Sequence, residues 1–125
     1  MTDPRRTTGR RGEQLAAEFL ESLGYSVVER NFRWGGAEVD IIVRTDSTLV
    51  FVEVKTRKSS SFGSPAEAVT LKKQQQINRV ALNYLTRCKG PKMNIRFDVI
   101  AVVITERTGP QIEHIPNAFE ATLGY

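Results

Sequence analysis

Asp40, Glu53 and Lys55 are the residues of this chain whose types and spacing could do chemistry. They lie in two strand patterns, 37–44 (AEVDIIVR) and 49–57 (LVFVEVKTR), separated by Thr45, Asp46, Ser47 and Thr48 in the manner of a hairpin. Side chains alternate along a strand, so Glu38, Asp40, Ile42 and Arg44 share one face, and Leu49, Phe51, Glu53, Lys55 and Arg57 share another. Val39, Ile41 and Val43, and Val50, Val52 and Val54, take the opposite faces. A turn centred between Asp46 and Ser47 sets Asp40 opposite Glu53 and Glu38 opposite Lys55. Two carboxylates so opposed, with Cβ atoms about 5 Å apart, repel unless a cation, lysine or metal, lies between them. Magnesium takes hard oxygen ligands, and two convergent carboxylates with water and a substrate phosphate suit it. Lys55, roughly 7 Å beyond Glu53 on the same face, can reach an attacking water or the charge developing on phosphorus. A solvated salt network of Glu38, Asp40, Glu53, Lys55 and Arg57 would use the same residues. Ile42, Leu49 and Phe51 on that face argue instead for partial cover, with the charges at the mouth of a core.

These strands need elements to hold them. Leu15, Ala16, Phe19, Leu20 and Leu23 fall in one stripe and Gly24 follows as a stop, which predicts an amphipathic helix over 11–23. Glu13 sits at the edge of that stripe and could point toward the sheet, although the helix dipole alone favours a glutamate in a first turn. Residues 25–32 read as a first strand, broken by Gly35 and Gly36. Ser59 to Gly63 reads as a loop, and Pro65 to about Arg87 as a long helix with Val69, Ile77, Val80, Ala81, Tyr84 and Leu85 inward. Lys72, Lys73 and Arg79 occupy its other face. After a Gly90-Pro91 break, residues 95–104 are apolar on both faces, as a central strand is. Gln111 to Ile115 reads as a short last strand, and Asn117 as the cap of a final helical turn from Ala118 to Leu123. This order predicts an α/β sandwich with a central mixed sheet flanked by helices.

A chain of 125 residues and 14.0 kDa holds one core. We place that single domain at 11–125, behind a flexible basic arm over 1–10 that carries Arg5, Arg6, Arg10 and Arg11. The longest apolar run, Val99 to Ile104, is far short of the roughly 20 residues that span a bilayer. The first fourteen residues do not read as a secretory signal, so the expected location is the cytoplasm. The single cysteine, Cys88, excludes an internal disulfide and a Cys-rich zinc site, and the lone His114 has no partner at ligand spacing; both read as packing or surface residues. The formal charge of +4 is uneven: +1 over 1–60, +5 over 61–105 and −2 over 106–125. The basic middle and the arginines of the arm suit phosphate contact, as against a solvated tail that aids solubility.

Asp40, a gap of twelve residues, then Glu53-Val54-Lys55 resembles the signature of the PD-(D/E)xK nuclease superfamily, the restriction-endonuclease-like fold. A fuller match is to the YraN family of small endonuclease-like bacterial proteins. It covers almost the whole chain: Gly12-Glu13 with Ala16, Gly24-Tyr25, Asn31-Phe32-Arg33, Glu38 to Ile42, Phe51 to Arg57, Phe62-Gly63, Ala68-Val69, Lys72 and Arg96 to Val99. Ala37 departs from the glycine usual in the family, and Val39 stands where many of the superfamily have proline. The resemblance implies catalytic roles for Asp40, Glu53 and Lys55, the Val54 carbonyl as a further metal ligand, and Glu13 near the metal or its water.

The expectation is thus a Mg²⁺- or Mn²⁺-dependent nuclease acting on nucleic acid, with DNA, branched or structured DNA included, as the substrate. Lys72, Lys73, Arg79, Arg57, Lys58 and the arginines of the arm would track the phosphate backbone. Trp34 could stack a base at the entrance or sit partly buried in the core. Cleavage of two strands or a junction would favour a homodimer, although no interface can be read. The alternatives are a non-catalytic nucleic-acid-binding module of the same fold acting with a partner, and a protein-interaction domain with an incidental charge network.

Overall fold

The computed structural model describes residues 4–58, 69–88, 93–105, 107 and 109–120, with the backbone alone for 4–8. Helix α1 (Pro4–Ser22) starts seven residues ahead of the predicted helix, so from Pro4 onward the predicted arm continues the helix backbone. Proline opens a helix readily, because its missing N–H would be unbonded there anyway. The helix ends in a glycine cap: Gly24, at φ 95°, donates its N–H to Glu21 and lets the Tyr25 N–H reach back to Leu20 O at 3.1 Å. Leu23, just past the helix, is exposed, and Ala17 is buried in its stead.

Strands β1 (Ser26–Trp34), β2 (Ala37–Thr45) and β3 (Thr48–Arg57) form an antiparallel meander. The β1–β2 turn is Gly35-Gly36, with φ 60° and 79°, a conformation that glycine adopts without steric cost. The β2–β3 turn is Asp46-Ser47 between paired Thr45 and Thr48, as predicted.

Helix α2 (Leu71–Arg87) then crosses over to β4 (Asn94–Thr105), which lies parallel to β3, and β5 (Gly109–Phe119) closes the sheet antiparallel to β4. The strand order is β1-β2-β3-β4-β5. α2 begins at Leu71 rather than near Pro65, because Thr70 caps it by accepting from the Lys73 N–H at 3.2 Å. Residues 65–68, the Ser59 to Gly63 loop and the Gly90-Pro91 break lie outside the described residues.

The predicted final helical turn is replaced, over Ala118 and Phe119, by strand. Asn117, at φ 51°, lacks the extended backbone of a helix N-cap and forms a bulge between the pairs Val99↔Ile115 and Phe97↔Phe119. Residues 121–125 lie outside the description.

The architecture is an α/β sandwich of restriction-endonuclease-like layout, one helix packed on each face of the sheet. Toward α2 the core gathers Phe51, Phe97, Leu49, Ile42, Ile77 and Val80. Toward α1 it gathers Leu20, Ile41, Val43, Val50, Val52 and Ile100. β4 feeds both cores, as its two apolar faces predicted. Among the described residues no helix is long and apolar enough to cross a membrane.

Gly12 sets the approach of α1 to β3. A Cβ there would run into Thr56 Oγ1 and lie 3.0 Å from both Thr56 Cβ and Cγ2. Rotating the threonine cannot clear its own Cβ, so the helix must move. Gly12→Ala is therefore expected to cost about 1–3 kcal/mol, even though alanine is the better helix former by about 1 kcal/mol. An unchanged urea midpoint would refute this close contact.

Candidate active site

The β2–β3 ladder runs from Thr45↔Thr48 to Ile41↔Val52, the register in which Asp40 comes next to Glu53. The ladder stops where the carboxylates begin. Val54 N–H, which could have paired along the strand, instead donates to Asp40 Oδ2 at 2.8 Å.

Strict alternation puts Val39 and Ile41 on one face, but Val39 packs toward α2 and Ile41 toward α1. β1 changes face at the same level: Arg30 reaches Glu13 O on α1, whereas Phe32 packs toward α2. Between them Asn31 has φ 52°, a left-handed conformation that asparagine tolerates better than most residues. The consequence for function is that Asp40, at the changeover, is turned sideways toward β3.

Glu53 is only 4% exposed, and its Oε2 is buried without a hydrogen-bond partner among the described residues. Among the described residues it pairs with Lys73 of α2, whose Nζ lies 3.5 Å from Oε2 and 3.5 Å from Glu38 O. Burial, and then the charge of Glu53 and a hydrogen bond with it, push the Asp40 carboxyl up to about 8, against the opposing pull of the Val54 N–H. Without another cation nearby, Asp40 therefore keeps its proton well above the usual carboxylate range. A buried orphan oxygen and a neighbouring acid that must lose a proton to become a ligand are a donor set that fits a hard divalent ion.

Glu13 stands on the α1 side. Asn31 Nδ2 donates both to Glu13 Oε1 (2.8 Å) and to Glu38 Oε1 (3.0 Å), so one amide ties the two carboxyls together. Burial raises the Glu13 pKa. Burial also pushes Glu38 up, but hydrogen bonds from Asn31 and Arg33 outweigh it and hold that carboxyl below its usual value. Among the described residues, no three His, Cys, Asp or Glu side chains converge as a ready ion cage. Asp40 and Glu53 are thus the pair, with Glu13 beside them.

Lys55 is half-buried on β3, paired in register with Ala101. Of the basic residues predicted to track phosphates, Arg10, Arg11, Lys58, Lys72 and Arg79 are exposed and Arg57 is half-buried. The side chains of Arg5 and Arg6 lie outside the description. Lys73 sits at the carboxylates instead of on the outer face of α2. Helical periodicity shows the angle at which a residue leaves its axis; it does not show that a long side chain can fold back over the helix's first turn toward a neighbouring strand.

Asn31 was legible only as part of the family resemblance. Another polar group appears away from the site, where fully buried Asp98 holds Arg96 and His114. His114 is thus a packing residue with a hydrogen-bonded role, and Cys88 is exposed at the end of α2.

Residues 12–102, from the glycine against β3 through most of β4, match the model of a family described as uncharacterised protein family UPF0102. The chain belongs to the UPF0102 family. A UPF0102 protein of Geobacter sulfurreducens is 55% identical over 112 residues, covering 90% of this chain and 88% of its own. One from Geotalea daltonii is 50% identical over 115 residues, covering 92% and 91%. A UPF0102 protein of Nocardia farcinica is 48% identical over 111 residues, covering 89% and 87%. The matched region contains Glu13, Asp40, Glu53 and Lys55 together.

Proposed function

We propose that this UPF0102 protein is a Mg²⁺- or Mn²⁺-dependent nuclease that hydrolyses phosphodiester bonds in DNA, branched or structured DNA included. The observation that carries the reading is the Asp40–Glu53 pair at the open end of the β2–β3 ladder, with a buried Glu53 oxygen that accepts no hydrogen bond among the described residues. Asp40 and Glu53 would hold the ion, with the Val54 carbonyl as a further donor. When bound, a divalent ion supplies Lewis-acid polarisation of the phosphoryl group and a more acidic water. Lys55, two residues beyond Glu53, orients or deprotonates the attacking water and stabilises the charge that develops on phosphorus. Glu13 assists from α1. Lys73 balances the buried charge of Glu53 until an ion takes that role. Arg10, Arg11, Arg57, Lys58, Lys72 and Arg79 would bind the phosphate backbone, which predicts affinity that falls steeply with salt.

The test is a cleavage screen with Mn²⁺ on branched, flapped, single-stranded and duplex DNA, run beside Lys55→Ala. Cleavage should fall by about 100-fold or more in the variant, while Mn²⁺ affinity and DNA affinity stay within about twofold. Salt-dependent DNA binding with no cleavage by the wild type would favour the non-catalytic module that works with a partner. No binding to any DNA would leave the charge network incidental.

A further inference from the structure

The β1–β2 hairpin carries a tryptophan that neither core uses. Trp34 is 40% exposed, it is the one tryptophan of the chain, and it belongs to neither of the two apolar clusters. Phe32, two residues earlier, packs on the α2-side core and stacks edge-on against Tyr84, with ring centroids 5.1 Å apart. Trp34 has no ring partner among the described residues. Its cross-strand partner is Ala37, so the residue directly opposite the indole is too small to cover it.

The two residues that follow are glycines at φ 60° and 79°, and among the described residues a Cβ at either would meet nothing within 4 Å. An open surface hollow lies here, lined among the described residues by Arg33, Trp34, the two glycines, Ala37 and Glu38. Its chemistry is one aromatic face, open backbone and a largely exposed arginine. Its one carboxylate, Glu38, is already bonded to Arg33 and Asn31.

Glu38 also joins this hollow to the candidate active site. It lies two residues before Asp40, and its carbonyl accepts from Lys73, which also faces Glu53. Trp34 lies three positions along β1 from Asn31, roughly 10 Å at strand rise. A strand whose phosphate sat at the carboxylates would lay a neighbouring base on the indole.

We propose that the Trp34 hairpin is a stacking subsite for an unpaired nucleobase, so that the chain selects single-stranded or locally unpaired nucleic acid over intact duplex. This inference rests on the nucleic-acid reading above. A duplex hides the faces of its bases, whereas an exposed indole flanked by a cation binds any base through its π-face.

The lone tryptophan makes the subsite directly observable. Metal-free protein in EDTA at low salt is titrated into a fluorescein-labelled 15-mer, single-stranded or annealed, while DNA anisotropy is followed; the emission of Trp34 is followed separately with unlabelled DNA. Single-stranded DNA should quench Trp34 strongly. Trp34→Leu should weaken that binding by about 5- to 100-fold, with duplex binding changed less than about twofold and Trp34→Phe recovering part of the loss. A urea midpoint within error of wild type checks that the hairpin still folds, and the wild-type quench stands even if Trp34→Leu does not.

Anisotropy that reports tight single-strand binding with no change in emission and no loss in Trp34→Leu overturns the subsite and leaves the nucleic-acid reading intact. Equal quenching by duplex overturns the preference for unpaired bases. Binding of neither DNA overturns both readings together.

Discussion

Asp40→Asn is expected to abolish Mn²⁺ binding and cleavage while making the metal-free protein more stable at alkaline pH. Without metal, the Asp40 carboxyl is held neutral up to about 8 by burial and by Glu53, whereas in the unfolded chain it ionises near its ordinary value of about 3.9. Between those values the native state holds a proton that the unfolded state has lost, so native stability must fall as pH rises from about 4 to about 8. The asparagine amide can still accept from the Val54 N–H and can donate to Glu53, and it carries no charge to bury. Urea unfolding in EDTA should therefore show a wild type that weakens between pH 5 and 9, and a variant that lacks this slope and is stronger by about 2–5 kcal/mol at the alkaline end. Calorimetry adds an independent reading: Mn²⁺ binding to the wild type below pH 8 should release protons, because the ligand must be a carboxylate. Equal slopes in the two proteins, or Mn²⁺ binding retained by Asp40→Asn, would remove Asp40 from the centre of the site.

The second large effect is on stability alone. Asp98 is fully buried, and each of its oxygens accepts twice. Oδ1 takes Arg96 Nε at 2.8 Å and the Asn117 N–H at 2.9 Å, and Oδ2 takes Arg96 Nη2 at 2.8 Å and His114 Nε2 at 2.7 Å. Arg96 in turn donates to the Tyr25 hydroxyl at 2.6 Å, so the network joins the end of α1 to β4 and to the bulge of β5. Asp98→Ala should cost about 3–5 kcal/mol, the range for breaking a buried ion pair from one side. Arg96 is about a quarter exposed and can recover some hydration, which favours the lower end.

Burial pushes Asp98 up, but the hydrogen bonds from Arg96, Asn117 and His114 outweigh it and hold the carboxyl below its usual value. The sign is opposite to that of Asp40. The stability from Asp98 is fully present above its unfolded pKa and is lost as pH falls through its depressed native value. Wild-type unfolding should accordingly steepen below about pH 4, and Asp98→Ala should lack that component. A loss under about 1 kcal/mol would mean that water replaces the network.

What the sequence by itself determined was whatever depends on near neighbours along the chain. Two alternating runs joined through Asp46-Ser47 have one register that keeps their apolar sets aligned, so the proximity of Asp40 and Glu53 follows from turn length and pleat. The apolar faces of 95–104 likewise required helices on both sides, and α1 and α2 supply them. Tertiary structure alone decided where that pattern breaks. The change of face at Asn31 and Asp40 is a backbone rotation that leaves the register intact, so pairing does not reveal it, yet it turns Asp40 toward Val54. Lys73 joins the site across 20 residues from Glu53, and His114 finds Asp98 across 16, separations at which periodicity carries no information. Asn117 shows the same limit locally, because asparagine, whose short polar side chain suits a helix N-cap, also tolerates the positive φ of a bulge, and the Asp98 carboxylate that receives its N–H lies on another strand. Local sequence governs dihedral preference and burial pattern, whereas the partner of a buried charge is chosen by packing of the whole chain.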